Sequence, residues 1–273
     1  MRPVIVFGSN GMLGHYLHTF LKKMGHSVVG ITRQDFDVEK DDETKLRYLF
    51  NHYRPRIIIN AIGKIPHAGH CMDELYYMVN SNFPNKLAKL CHEHTCIFIQ
   101  PSTDCVFSGK LGNYNELSIF DTHTVYGKSK LLGEIESACI IRTSIIGENS
   151  KGISLLEWVK SNKHKKIHGY ANHYWNGITC LQFAKIVQHM IDNNLFWQGV
   201  RHVFSPQSVA KADLVEMISD EYNLNVCVEK VHVDLCNRTL STIYQDHRSL
   251  LDTIPDLSTQ LQQLHKYSNE VKM

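Results

Sequence analysis

The sequence predicts an α/β fold, a doubly wound parallel sheet with a smaller C-terminal α/β lobe built on it. Three observations predict it. Short runs such as Val4–Phe7 and Ile57–Ile59 are apolar at every position, as expected for strands covered on both faces. Stretches with apolar residues at helical spacing separate these runs, so strand and helix alternate. The alternation weakens after about residue 150, where short strand-like pieces surround two amphipathic stretches.

The elements follow in order. Val4–Phe7 is a strand that stops at Gly8, after which Leu13, Leu17, Phe20 and Leu21 share a helical face. Ser27–Ile31 reads as the second strand, and Thr44–Tyr53 as a helix with Leu46, Leu49 and Phe50 on one side. Ile57–Ile59 is the third strand, Asn85–His94 a helix and Cys96–Ile99 the fourth strand. Tyr126–Ser137 reads as a helix and Cys139–Ile141 as a closing strand. Residues 1–150 thus form one domain, to which a segment near 177–200 returns, and residues 151–273 are mainly the smaller lobe. That lobe carries helices at Leu181–Ile191 and Lys211–Tyr222, with short strands near His202–Phe204 and Val226–Val228. From about Tyr267 the chain reads as frayed.

Composition narrows the function. The 273 residues carry 29 Lys plus Arg against 27 Asp plus Glu, a net charge of +2 that argues against a dedicated nucleic-acid binder. No apolar run approaches the ~20 residues of a membrane span. The first apolar run is too short for a signal sequence, so a cytoplasmic protein is expected. The eight cysteines are scattered without a C-x-x-C, which reads as reduced thiols and no metal site.

Directly after the first strand comes Gly8-Ser9-Asn10-Gly11-Met12-Leu13-Gly14, a G-x-x-G-x-x-G between strand and helix. Glycines there let the backbone turn sharply and approach a pyrophosphate, which the N–H groups of the helix start then hold. Gly8, Asn10, Gly11, Met12, Leu13 and Gly14 are therefore the expected cradle of a dinucleotide, the signature of a Rossmann-type domain. At the end of the second strand an acid would select NAD; here stand Thr32 and Arg33. Arg33 suits a 2′-phosphate, so NADPH is expected, with NADH as the alternative and Asp37 and Val38 beside the adenine.

Two further segments carry chemistry. The fourth strand leads into Ser102-Thr103-Asp104-Cys105, and Tyr126-x-x-x-Lys130 follows. Positions i and i+4 share a helix face, so phenol and ammonium converge. A lysine ammonium nearby lowers a phenol's pKa and fits it for proton exchange with a carbonyl oxygen as hydride reaches the carbon. A hydroxyl from Thr103 or Ser102 would hold that oxygen.

On GSNGMLG (8–14), NAIG (60–63), STDCVFSG (102–109), YGKSKLLGE (126–134) and IRTS (141–144), the chain resembles the extended short-chain dehydrogenase/reductases, within them the dTDP-4-dehydrorhamnose reductase group. The resemblance implies a Thr103–Tyr126–Lys130 triad. It implies that Asn60, Ala61 and Ile62, and Arg142, Thr143 and Ser144, line the cofactor and active site, with Asp104 positioning the hydroxyl. It implies a nucleotide-diphosphate 4-keto-6-deoxyhexose as substrate, reduced at C4 and held partly by the smaller lobe, where Trp175, Asn176, Arg201 and Arg238 are candidates. A homodimer is one expected assembly; neither nucleic acid nor membrane is an expected partner.

One departure stands out. The residue after S-T-D is usually Tyr in that group, and here it is Cys105. GDP-fucose synthase and plant rhamnose synthase, which resemble the same group, have a Cys at the matching place that works beside the ketone. Cys105 therefore raises the expectation of C3 epimerisation, with Lys151 as its partner across the sugar; the alternative is a small filler side chain. NAIG and STDCVFSG also resemble the branch acting on UDP-2-acetamido-2,6-dideoxy-hexos-4-uloses, which yields products of the UDP-N-acetyl-L-rhamnosamine type. A rival reading is a non-catalytic, NADP-binding regulatory subunit resembling the beta subunit of methionine adenosyltransferase.

Overall fold

The computed structural model describes residues 2–66, 72–149, 152 and 154–271. In chain order the elements are β1 (Val4–Phe7), α1 (Met12–Lys23), β2 (Val28–Ile31), α2 (Glu43–Tyr53), β3 (Ile57–Asn60), α3 (Asp73–Tyr77), α4 (Phe83–Glu93), β4 (Ile97–Thr103), α5 (Val125–Leu131) and β5 (Cys139–Thr143). There follow β6 (Ile145–Ile146), α6 (Leu155–Ser161), β7 (Lys166–Tyr170), β8 (His173–Trp175), β9 (Ile178–Thr179), α7 (Cys180–Asn193), β10 (Gly199–His202), β11 (Val209–Ala210), α8 (Lys211–Glu221), β12 (Cys227–Val231), β13 (Cys236–Asn237), α9 (Arg248–Leu251) and α10 (Leu257–Val271). A π-helical turn, Met78–Asn82, joins α3 to α4, and a 3-10 turn, Asp104–Val106, follows β4.

The chain divides into two compact units. The first comprises Met1–Val106, His123–Arg142 and Ala184–Arg201; the second comprises Phe107–Thr122, Thr143–Phe183 and His202–Met273. The sequence suggested the return near 177–200, but nothing in it marked Phe107–Thr122 as part of the second unit.

The first unit is built on a six-stranded parallel sheet in the order β10-β5-β4-β3-β1-β2. β1 and β3 are buried at every position, which is why they read as unbroken apolar runs. Ile5, Phe7 and Ile58 pack against Leu46, Leu49 and Phe50 of α2 and Leu87 and Leu90 of α4. Each such buried aliphatic side chain contributes about 1.5–3 kcal/mol. β1 lies between β2 and β3, so strand order reverses beside it, and ligands of such sheets bind beyond the strand ends at that reversal. Register sets the level of that edge: Phe7 pairs with both Ile31 and Asn60. The segments after β1, β2 and β3 therefore leave the sheet side by side.

Several boundaries differ from the sequence reading. α5 ends at Leu131, not Ser137, because Gly133 turns back with its N–H on Lys130 O at 3.1 Å. The edge strand β10 precedes the expected His202–Phe204. The tail expected to fray from Tyr267 is helical to Val271, held by buried Tyr267 and Ser268.

In the second unit the strands are short and form three small sheets, β11-β8-β13, β12-β7 and β6-β9. Phe107 and Tyr114 stack with ring centroids 4.2 Å apart, and buried His202 sits edge-on to Phe107. Asp121 accepts from the Ser108 N–H at 2.7 Å, which closes the 107–122 loop on itself.

Candidate functional site

The glycine loop is shaped for a bulky anion. Gly8 has φ +75, and a Cβ there would sit 2.9 Å from Ile62 Cγ1. A Cβ at Gly14 would collide with the Gly8 carbonyl, so α1 can start tight against β1 only with glycine at that position. Gly11 is the N-cap of α1, with no side-chain cap and no acid in the first turn. By contrast α2, α5 and α6 are capped by Asp42, Thr124 and Ser154. The start of α1 thus offers the Met12, Leu13 and Gly14 amides and the positive end of the helix dipole. Asn10 is exposed beside it, whereas the Leu13 side chain is buried in the core and can contribute only its backbone.

Beyond β2, Thr32 donates through both N and Oγ1 to Asp35 Oδ2, at 2.8 and 2.7 Å. Arg33 follows with its side chain 67% exposed, Nε on Asp37 Oδ2 at 3.1 Å and Nη2 on Glu39 Oε1 at 2.6 Å. Two carboxylates therefore compete for the guanidinium assigned to a 2′-phosphate. Asp37 pairs with Arg33, and half-buried Val38 packs against the core of the first unit.

The hydroxyls, thiol and phenol converge at the end of β4. Thr103 Oγ1 donates to Asp104 Oδ1 at 3.2 Å and accepts from the Cys105 N–H at 3.1 Å, and the Tyr126 phenol lies beside it. Cys105 Sγ lies 3.5 Å from the same Asp104 oxygen. Burial pushes the phenol of Tyr126 up; nearby Cys105, Asp104 and Tyr76 push the same way and the Thr103 hydroxyl opposes them. Lys130, buried one turn on, donates Nζ to Pro101 O at 2.8 Å, and burial pushes its ammonium down to about 8 despite Glu134. The phenol is thus raised, where the sequence led us to expect lysine to lower it, and burial is the largest cause. A phenol that keeps its proton at neutral pH is suited to donating it to a reduced carbonyl oxygen.

Ser102 is corrected from the substrate role. Its hydroxyl donates to Glu134 Oε1 at 2.5 Å, and Glu134 is also paired with buried Arg142. Arg142 is therefore core as well. Asn60 is likewise turned inward: Nδ2 donates to Gln100 Oε1 at 2.9 Å, and Oδ1 accepts the Ile62 N–H. Ala61 and Ile62 stay in place as the wall against Gly8.

The sequence reading missed Asn80. It lies in the π-helical turn, buried, with Oδ1 accepting the Lys64 N–H and Nδ2 donating to Lys64 O and Ser129 Oγ, all at 2.9–3.0 Å. It ties the segment after β3 to the helix that carries Tyr126 and Lys130. Single π-turns are frequent at functional sites, but no local sequence spacing signals one.

In the second unit, buried Asn176 exchanges two hydrogen bonds with the Leu240 backbone, at 2.8 and 2.9 Å, and so supports that segment. Trp175 is buried, with Lys211 Nζ 4.8 Å over its ring. Arg238 donates Nε to Phe107 O at 3.0 Å, which fixes it beside the 107–109 turn. Arg201 sits on β10, over Trp197, in the first unit rather than the second. Lys151 lies outside the described residues.

The chain is similar to known proteins. The sequence profile described as the RmlD substrate binding domain matches residues 1–265. A dTDP-4-dehydrorhamnose reductase of Aggregatibacter actinomycetemcomitans is 30% identical over 85% of this chain and 83% of its own. Methionine adenosyltransferase 2 subunit beta of Xenopus laevis is 25% identical over 82% and 73%. For other curated relatives, such as the spore coat polysaccharide protein SpsK of Bacillus subtilis, the match spans about half the length of each chain (33% identity). The dTDP-4-dehydrorhamnose reductase of Bacillus anthracis, solved with NADP, superposes over 98% of this chain and 100% of its own with TM-score 0.83 at 20% identity, which shows the shared fold. With the profile covering nearly every residue, the chain belongs to the RmlD family, the dTDP-4-dehydrorhamnose reductase-like extended short-chain dehydrogenase/reductases.

Proposed function

We propose that the protein is an NADPH-dependent reductase acting on the C4 ketone of a nucleotide-diphosphate 4-keto-6-deoxyhexose. The observation that carries this reading is the Tyr126–Thr103 hydroxyl pair at the end of β4, on the sheet edge that also holds the glycine cradle. The relatives supply the substrate class, since a reductase of that class matches over most of this chain.

The residues fit a dinucleotide. A cradle that a Cβ would fill, and an uncapped helix start without acids, are what a pyrophosphate needs. Arg33 would meet a 2′-phosphate by exchanging its carboxylate partners for it. When bound, the nicotinamide supplies the hydride. Tyr126 holds the proton for the C4 oxygen, Thr103 orients that oxygen, and Lys130 anchors the helix on Pro101 O while its charge steadies the phenolate left behind. Arg238 is the proposed diphosphate contact in the second unit, with Trp175 as an apolar wall.

Two finer readings follow. Cys105 is proposed to exchange the proton at C3 before reduction, which makes the enzyme an epimerase as well. The UDP-2-acetamido sugars are proposed beside dTDP-4-dehydrorhamnose-like substrates. The test incubates the protein with NADPH and dTDP- or UDP-linked 4-keto-6-deoxy sugars in deuterated water, with products read by NMR. Reduction at C4 of either sugar supports the reading, and no NADPH consumption with any of them overturns it. Deuterium at C3, lost in Cys105→Ser, supports epimerisation; none at C3 removes it. The subunit reading is favoured by the likeness to methionine adenosyltransferase 2 subunit beta. It predicts NADPH binding without turnover and copurification with a catalytic partner.

A further inference from the structure

Away from the candidate site, the turn between α4 and β4 brings two cysteines together. α4 ends at Glu93 with His94 as its cap, and Thr95 takes φ +51. The Cys96 N–H then bonds Cys91 O at 2.9 Å, and the Thr95 N–H bonds His92 O at 3.2 Å. These are the two bonds of a Schellman motif, in which the side chains at the positions of Cys91 and Cys96 meet. An apolar pair is usual there; here both positions are cysteines, so the turn sets the two thiols side by side.

The two thiols differ in setting. Cys91 is 1% exposed, inside the core of the first unit, while Cys96 is half-buried. Arg2 stands over the turn, with Nε on Arg54 O at 3.0 Å and Nη2 on Pro55 O at 2.7 Å and His94 O at 3.3 Å. The neighbouring Cys91 thiol holds the Cys96 thiol below its ordinary range against its own burial, the Arg2 charge adds to this, and burial pushes Cys91 up. Reactive cysteines sit in such partly exposed, electropositive places. Cys139 and Cys180, by contrast, are buried and pushed up.

We propose that Cys91 and Cys96 form a reversible dithiol–disulfide site, oxidised by hydroperoxides with Cys96 as the attacking thiol. The Cys96 thiolate attacks one peroxide oxygen and the O–O bond breaks; the alkoxide or hydroxide leaves and takes up a proton, and Cys96 becomes a sulfenic acid. Cys91 sulfur then attacks Cys96 sulfur, the S–O bond breaks and water leaves with the Cys91 proton. Two thiols give up two electrons, and the peroxide accepts them. A thiol reductant reverses the bridge by exchange.

The test uses the full chain carrying Cys105→Ala, because trypsin cutting after Lys89 and Lys110 releases one peptide that contains Cys91, Cys96 and position 105. After hydrogen peroxide, that peptide should lose the mass of two hydrogens, resist alkylation and regain both thiols with dithiothreitol. Arg2→Ala should slow the loss severalfold. Cys91→Ala should leave Cys96 as a sulfenic acid that dimedone traps. Oxygen added at Cys96 without loss of two hydrogens, or a Cys96 that stays fully alkylatable, overturns the proposal.

Discussion

Ser102 and Thr103 are neighbours on one strand, carry the same functional group and do opposite work. Thr103 points to the Tyr126 phenol and Asp104. Ser102 points the other way, to the Glu134–Arg142 pair, both side chains of which are at most 4% exposed. Alternation along a strand sends successive side chains to opposite faces, so one face becomes chemistry and the other foundation. The two faces should fail differently: changes on the first cost turnover and spare the fold, and changes on the second do the reverse.

The largest expected effect tests the first face. Tyr126→Phe should lower kcat by ~10²–10⁴, the range typical for loss of a general acid, with NADPH affinity and melting temperature nearly unchanged. Steady-state rates beside a thermal melt check this, and a variant that melts early instead would erase the distinction. Next comes the foundation. Arg142→Ala leaves the Glu134 carboxylate buried without its charge partner, which should cost about 3–5 kcal/mol in urea unfolding.

Lys130 belongs to both faces, and pH separates its roles. Its ammonium is pushed down to about 8 in the fold, against ~10.4 in an unfolded chain. The unfolded state therefore binds more protons between these values, so this group adds stability as pH rises through that window, on the order of 2–3 kcal/mol. Buried Cys139 and Cys180, held neutral, act in the opposite direction. The stability of wild type minus that of Lys130→Met cancels them and should climb from pH 8 to 10; a flat difference would show that the ammonium is not buried as described. The smallest effect is Ser102→Ala, about 1–3 kcal/mol from the acceptor left on Glu134, with kcat within twofold of wild type (roughly, since no substrate contact is lost). A large fall in kcat would put Ser102 back on the chemical face.

Much of the first unit was legible because its signals are local. β1, β3, the glycine loop and Tyr126-x-x-x-Lys130 each lie within a dozen residues. Asn80 was illegible because its partners, Lys64 and Ser129, lie 16 and 49 positions away and the π-turn has no composition of its own. The turn of the Asn60 amide was illegible because a motif names a residue without saying which way its side chain points; Gln100, across the sheet, decides that. Arg33 was read as the partner of a 2′-phosphate, and its carboxylate partners were not legible because the acids at 37 and 39 reach it only once the chain folds over after β2. In the second unit the strands are two to five residues long, too short for any period to rise above noise.

The close approach at Gly133 has a consequence of its own. A Cβ there would run into the Asn80 carbonyl oxygen, so the end of α5 rests directly on the π-turn backbone. The spacing between these two pieces is set by a hydrogen atom where other residues carry carbon. Enlarging that atom to a methyl would act as a shim: it would tilt the helix at its far end and shift the Tyr126 phenol from its place beside Thr103, without altering either side chain.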